Sequence, residues 1–146
     1  MKVNVFFCDD IRSEEDGRRS YMGIYQPVFK IKESQLLIPK FCLYVELQSE
    51  TVEDFENAKL ILRNGAEVVG EFPFVDDDNR DRIKAGNSFI RIELSISPLV
   101  VKAPVVVSAS LSIGGNETLA REVKFVQDPE TKEAVRKPLP RKKAPK

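Results

Sequence analysis

Two segments near the start of the chain decide its fold class: Val3-Asn-Val-Phe-Phe-Cys-Asp-Asp10 and Arg19-Ser-Tyr-Met-Gly-Ile-Tyr-Gln-Pro-Val-Phe29. In the first, apolar residues alternate from Val3 to Phe7 and the intervening positions are also rather apolar, which predicts a central or covered strand. The polar stretch 13–17 predicts a turn between the segments and therefore an antiparallel hairpin. Pro27 has no N–H, so the far end of the second segment is expected at a sheet edge or a bend.

The same period-2 pattern recurs along the chain and predicts an all-β protein. Asn64-Gly65 between two apolar runs predicts a hairpin with a type I′ turn, and Gly114-Gly115-Asn116 predicts another tight turn. The charges of the last strand suggest an edge position. Regularly spaced antiparallel strands favour a two-sheet β-sandwich of seven to eight strands, with a small β-barrel as the alternative. The predicted strands are residues 3–10, 20–25, 41–48, 58–63, 66–75, 90–96, 105–113 and 118–126.

The chain of 146 residues fits one domain, which we expect to span residues 1–127. Residues 128–146 are rich in proline and lysine and have almost nothing to bury, so this tail is expected to be disordered. From residue 129 onward there are seven Lys or Arg and two Glu, whereas the preceding part carries 16 basic and 21 acidic residues. The sequence therefore joins a mildly acidic body to a basic tail.

Composition limits the function. The chain has no histidine and no tryptophan, which removes the commonest general base and metal ligand and the largest aromatic anchor. No apolar run is long enough for a membrane span, and no secretory signal is recognisable. Cys8 and Cys42 are expected to be free, buried thiols in a reducing compartment, with a cross-sheet disulfide as the less favoured alternative. A cytoplasmic protein without cofactor is the expectation.

The acidic segment 76–81 is a candidate calcium site, because hard cations bind clustered carboxylate oxygens. Started at Asp77, the segment fails the EF-hand pattern, since Arg82 stands where that loop needs glycine and Ser88 where it needs glutamate. We favour a solvated charged loop, although Asp9 and Asp10 could join it at one end of a sandwich. The candidate metal ligands are Asp76, Asp77, Asp78 and Asp81.

Cys8-Asp9-Asp10 is a candidate reactive centre, with the thiol as nucleophile or the carboxylates as acid and base. Neighbouring acids raise a thiol pKa and so disfavour the thiolate, and no histidine can serve as base. Adjacent strand residues also point to opposite faces. We therefore interpret Cys8 as a core residue and expect no enzyme activity.

The tail offers a candidate contact for polyanions through five basic residues. Weak, salt-dependent binding of nucleic acid is one expectation, and a solubilising terminus is the other. The tail has no aromatic residue for base stacking, so sequence-specific recognition is not expected. The residues concerned are Arg136, Lys137, Arg141, Lys142 and Lys143.

The N-terminal motif resembles an uncharacterised family of small bacterial and phage proteins, a domain of unknown function. The likeness is carried by Phe6-Phe-Cys-Asp-Asp-Ile-Arg12 followed by Met22-Gly-Ile-Tyr25, and by the similar Pro39-Lys-Phe41 and Arg121-Glu-Val-Lys-Phe125. It spans most of the domain but not the tail. The resemblance implies a compact β fold in a bacterial or phage setting and carries no activity with it.

Within that motif, six residues are candidates for a binding or structural role: Cys8, Asp9, Asp10, Arg12, Gly23 and Tyr25. Gly23 inside a strand suggests a bulge or a close backbone approach. Asp9 and Asp10 are expected to organise the first turn, with Arg12 as an ion partner. We expect a non-enzymatic module that binds a protein partner or itself through a sheet face or edge. One alternative is a divalent-metal-dependent (calcium) binding or hydrolytic domain that uses the acidic loops, and another is weak nucleic-acid contact through the basic tail. No small-molecule substrate is identified.

Overall fold

The computed structural model describes residues 1–84 and 89–130, and confirms an all-β, sandwich-like architecture. Over these residues the chain forms strands and two short helices, numbered in chain order. They are β1 (Lys2–Ser13), β2 (Arg19–Ile24), β3 (Val28–Ile31), β4 (Gln35–Ile38), β5 (Phe41–Gln48), α1 (Val52–Glu56), β6 (Ala58–Asn64), β7 (Glu67–Pro73), α2 (Arg80–Lys84), β8 (Phe89–Ile96), β9 (Leu99–Lys102), β10 (Val105–Ile113) and β11 (Asn116–Gln127).

Two large sheets enclose the core. The first sheet has the order β2-β1-β5-β8, the second has the order β3-β11-β10-β6-β7, and β4 and β9 form a separate two-stranded ribbon. Neighbouring strands are antiparallel except β3 and β11, which run parallel. In the described residues each large sheet has two edge strands and does not close on itself, so the barrel alternative is wrong. Fully buried side chains from both sheets meet between them, including Phe7, Leu43, Val45, Leu62, Val107 and Phe125.

The predicted hairpins are present. β1 pairs with β2 on one side and β5 on the other, which confirms that the first strand is central. β6 and β7 pair across a short loop after Asn64, as expected. The predicted type I′ turn is wrong, because Gly65 has a φ of 62° while Asn64 has no positive φ. Asn64 belongs to the strand and pairs with Glu67, so Gly65 is the first central residue of the turn. Its positive φ is the one that a type II′ turn requires at that position.

The structure contains short strands that the sequence pattern did not predict. β3, β4 and β9 have four residues each, too few for alternation to stand out beside Pro27, Pro98 and Pro104. β3 also corrects the expected edge position of the last strand, since β11 lies between β3 and β10.

The last strand does not keep one continuous face. A register shift between Ala109 and Ser110 leaves Leu119 exposed while Val123 is buried. Simple alternation along residues 118–126 would place Leu119 on the same face as Val123 and Phe125; the bulge breaks that alternation and changes which side chains point inward.

The chain passes from the first sheet to the second between β2 and β3, in the three residues Tyr25, Gln26 and Pro27. This short crossover makes β2 and β3 neighbouring edge strands. The last strand ends at Gln127, and the predicted tail lies outside the described residues from position 131 onward. Neither α1 nor α2 is long and apolar enough to span a membrane.

Candidate binding surface at the β2–β3 edge

Four large apolar side chains lie exposed on the two edge strands that the short crossover joins. Met22 and Ile24 on β2 are 45% and 49% exposed, and Val28 and Phe29 on β3 are 51% and 37% exposed. β2 pairs only with β1 and β3 only with β11, so one side of each strand has main-chain groups without a strand partner in the described chain. We call these four residues and their strands the β2–β3 edge. Such an edge can accept a further strand.

Tyr25 fixes this edge to the core. Its side chain is only 6% exposed and its ring lies 5.1 Å from both Phe29 and Phe41, centroid to centroid. Its hydroxyl donates a 2.7 Å hydrogen bond to Asp9 Oδ1. Burial raises the pKa of Tyr25, and the bond to Asp9 raises it further, so the phenol is neutral and remains a donor. Phe29 is therefore packed on one side and exposed on the other.

Gly23 makes room for the Asp9 side chain. It has a φ of 64°, and a Cβ at this position would lie 2.8 Å from Asp9 Cγ and closer still to Oδ2. β1 and β2 keep one register across this point, so the feature is the close approach that the sequence suggested and not a bulge. Glycine is required here for both its conformation and its small size.

Asp10 lies between two cations. Arg12 Nε donates to Asp10 Oδ2 at 2.7 Å, and Lys40 Nζ contacts Oδ1. The hydrogen bond from Lys40, and then that from Arg12, lowers the pKa of Asp10 to about 2. The expected ion pair with Arg12 is confirmed, while Lys40 was not singled out from the sequence because it follows β4, distant in the chain.

Asp9 and Asp10 do not organise the first turn, contrary to expectation. The turn is closed by a backbone bond from the Glu14 N–H to the Arg18 carbonyl and by Arg18 on Asp16. Asp9 and Asp10 lie at the other end of the hairpin because β1 is longer than the sequence pattern predicts, ending at Ser13.

Cys8 and Cys42 face each other across β1 and β5, directly opposite in the register. Both are buried and free. Burial, followed by the neighbouring Cys42, raises the pKa of Cys8 to about 11. The Cys8 thiol is therefore protonated at neutral pH and is a poor nucleophile.

The charges near β3 differ from those near β2. Arg12, Arg18 and Arg19 each contact a carboxylate, of Asp10, Asp16 and Glu93 respectively. Lys30 and Lys32, at and just after β3, are exposed and form no ion pair with the residues described. Uncompensated positive charge thus lies at β3.

The acidic segment is a capped turn and the start of a short helix. The Asp76 N–H donates to Asn79 Oδ1 at 3.0 Å, the Asn79 N–H donates to Asp76 Oδ1 at 2.9 Å, and α2 follows. The expectation that segment 76–81 is entirely a loop is wrong for Arg80 and Asp81, because the reciprocal capping between Asp76 and Asn79 begins a helix. The buried side chain of Ile83 holds it to the core.

In the described parts of the chain, no group of three or more carboxylate or thiol side chains is placed to hold a metal ion. Asp76, Asp77, Asp78 and Asp81 therefore do not form a cluster there, alone or with Asp9 and Asp10. The candidate polyanion contacts Arg136, Lys137, Arg141, Lys142 and Lys143 lie outside the described residues.

The six motif residues come together around the β1–β2 hairpin and the crossover, but sequence reasoning missed the exposed residues beside them. The signal for Val28 and Phe29 was Pro27, which interrupts an apolar run and so indicates an edge.

Comparison with known proteins adds no relative: no family model, curated protein or solved structure matches this chain.

Proposed function

We propose that this protein is a non-enzymatic binding module that receives a protein partner at the β2–β3 edge. The observation that carries the proposal is that two edge strands joined by a short crossover expose four large apolar side chains. Main-chain groups of an edge strand give affinity to an added strand, and neighbouring apolar side chains give specificity. The buried Tyr25 anchor supports the proposal, because a surface that is already ordered costs less entropy on binding.

The opposite edge is less suited to the same role. β7 also exposes apolar residues, Val68 at 47% and Val69 at 38%. Its pairing with β6 has a register shift beside them, and it ends in Pro73. Bulges and prolines are features by which proteins prevent strand addition at an edge. At the β2–β3 edge, β2 pairs with β1 without a register shift, and Pro27 lies in the crossover, outside both strands.

Site-specific photo-crosslinking tests the proposal in cells in which the protein occurs naturally. A benzophenone amino acid replaces Val28 on β3 or, as matched control, Val68 on β7, because the two valines are similarly exposed. We expect a discrete protein adduct from position 28, absent from position 68. Ile24→Ser, which removes an exposed apolar side chain without adding charge or touching the core, should greatly reduce the adduct.

Equal adducts at both positions, or none at position 28, would contradict the proposal. An adduct that survives Ile24→Ser would contradict a contact of the partner with β2.

A further inference from the structure

The β3 part of the edge combines apolar exposure with positive charge. Val28 and Lys30 alternate with Phe29 and Ile31, and the register places them beside Lys124 and Val126 of β11. Lys124 and Val126 belong to a shallow, mostly apolar hollow that also includes Val106. A strand added at the free edge of β3 would therefore place the side chains of one face beside Val28 and Lys30 and those of the other face beside Phe29 and Ile31.

The sequence concentrates positive charge in this region. Between positions 17 and 40 there is one acidic residue, Glu33, among five basic ones: Arg18, Arg19, Lys30, Lys32 and Lys40. Arg18, Arg19 and Lys40 contact the carboxylates of Asp16, Glu93 and Asp10. Lys30 and Lys32 are thus the cations left to meet a partner, in a body that otherwise carries an excess of acid.

We infer that the occupant of this edge is an extended, acidic segment of another protein, which adds as a strand beside β3. The inference rests on the proposed function and names the chemistry of its partner. Acidic side chains of the segment would face Lys30 and Lys32, and its alternate side chains, which are apolar, would contact Phe29 on the other face of β3. Complementary charge of this kind selects partners and accelerates their encounter.

Charge argues against a second copy of this chain as the occupant. Two β3 strands side by side would bring Lys30 and Lys32 near their own counterparts, and like charges across strands are destabilising. The β7 strand of another copy carries Glu67 and Glu71, but its register shift and Pro73 disfavour pairing. Lys30 and Lys32 thus disfavour pairing of β3 with a second β3, whereas an acidic strand can still pair there.

The test uses the full chain and two synthetic eight-residue peptides, one alternating valine with glutamate and one alternating valine with lysine. Fluorescence anisotropy should show binding of the acidic peptide, weakened by salt, and at least about tenfold weaker binding of the basic one, a difference of ~1.4 kcal/mol. N-methylation of alternate peptide nitrogens along one edge should abolish binding, because it removes the main-chain donors.

Charge reversal locates the contact. Lys30→Glu with Lys32→Glu should weaken acidic-peptide binding at least about tenfold, whereas Lys102→Glu, an exposed lysine on β9, should leave it unchanged. Thermal melting checks that each variant is folded.

Several outcomes would overturn the inference: equal affinity for both peptides, no binding of the acidic peptide, or a peptide-free protein that self-associates by size measurement. A position-28 crosslink to another protein that survives the lysine reversals would leave the proposed function standing while rejecting the acidic segment. Loss of that crosslink by the uncharged substitution Ile24→Ser does not depend on the charge of the partner, so the two failures are distinguishable.

Discussion

The two sides of the sandwich are linked by connections of very different construction. On one side β2 passes to β3 through Tyr25, Gln26 and Pro27; on the other, β7 passes to β8 through residues 74–88, of which 74–84 are described. The short connection is held by one buried tyrosine whose hydroxyl reaches Asp9. The long one is held by the buried Phe74 and Ile83.

The difference fits the proposal that the β2–β3 edge receives a partner while the β7 edge is protected. A long connection can take up local irregularity, and β7 beside it has a register shift and a terminal proline. A crossover of three residues leaves no such freedom, so the exposed side chains on both sides of Tyr25 are held where the core places them. The fixed position of the β2–β3 edge depends on Tyr25, Gly23 and Asp9 together.

Gly23→Ala should disrupt the packing of β2 against Asp9 beside the crossover, and it should have the largest effect on stability. The added Cβ meets Asp9 and the positive φ disfavours any other residue, so we expect a loss of about 3 kcal/mol in the free energy of unfolding. Gly17→Ala is the control, because Gly17 also has a positive φ, 82°, but open space around it. It should cost about 1 kcal/mol. Urea denaturation of both variants measures the difference.

Equal losses in the two glycine variants would show that only backbone conformation matters and that Asp9 simply moves aside. In that case Asp9 would not be part of the anchor of the edge.

The sequence predicts the alternation of the long strands well, because one buried face imposes period 2. The hairpins at Gly17 and Asn64-Gly65 follow from turn chemistry, which is also local. The parallel pairing of β3 with β11 joins residues near position 28 to residues near position 124. No local pattern carries such pairing, and the charges of the last strand predict an edge position instead.

The candidate surface was predictable only in part. Cys8, Asp9 and Asp10 stand out in sequence, and the structure gives them different roles: a buried thiol, an acceptor for Tyr25 and a doubly paired carboxylate. Lys40 was not recognisable because it directly precedes β5, and its approach to Asp10 depends on the pairing of β5 with β1. Exposure of apolar residues cannot be read from sequence, since it depends on which strand lies at an edge.

Tyr25→Phe should loosen the crossover while keeping the aromatic packing. Losing the hydroxyl removes one hydrogen bond to Asp9 and should cost about 1 kcal/mol. Amide hydrogen exchange should become faster along β3, because its attachment to the first sheet is weakened. Tyr44→Phe is a matched control: that hydroxyl donates to Glu46 at 2.8 Å, within β5 and away from the crossover.

If β3 exchanges at the wild-type rate in Tyr25→Phe, ring packing alone holds the edge. If Tyr44→Phe accelerates β3 as much, the effect is general loss of stability and the crossover has no special part in it.

Asp10 gives the smallest expected effect and the most specific one. Lys40 and Arg12 lower its pKa to about 2 in the folded protein, whereas an unfolded aspartate titrates near pH ~4. Because the folded pKa is the lower one, the ion pairs contribute full stability above pH ~4 and lose it as pH falls towards 2. Asp10→Asn should therefore abolish part of the stability loss between pH ~4 and ~2, measured by urea denaturation across that range.

Asp77→Asn is the control for this acid effect, because Asp77 is exposed in the long connection and the change leaves the Asp10 ion pairs in place. It should retain the wild-type loss. An Asp10→Asn protein with the same acid dependence as the wild type would show that Lys40 and Arg12 do not hold Asp10 in solution. The β1 strand beside the edge would then be fixed by Asp9 and Tyr25 alone, and the contrast between the two sides of the sandwich would rest on the tyrosine.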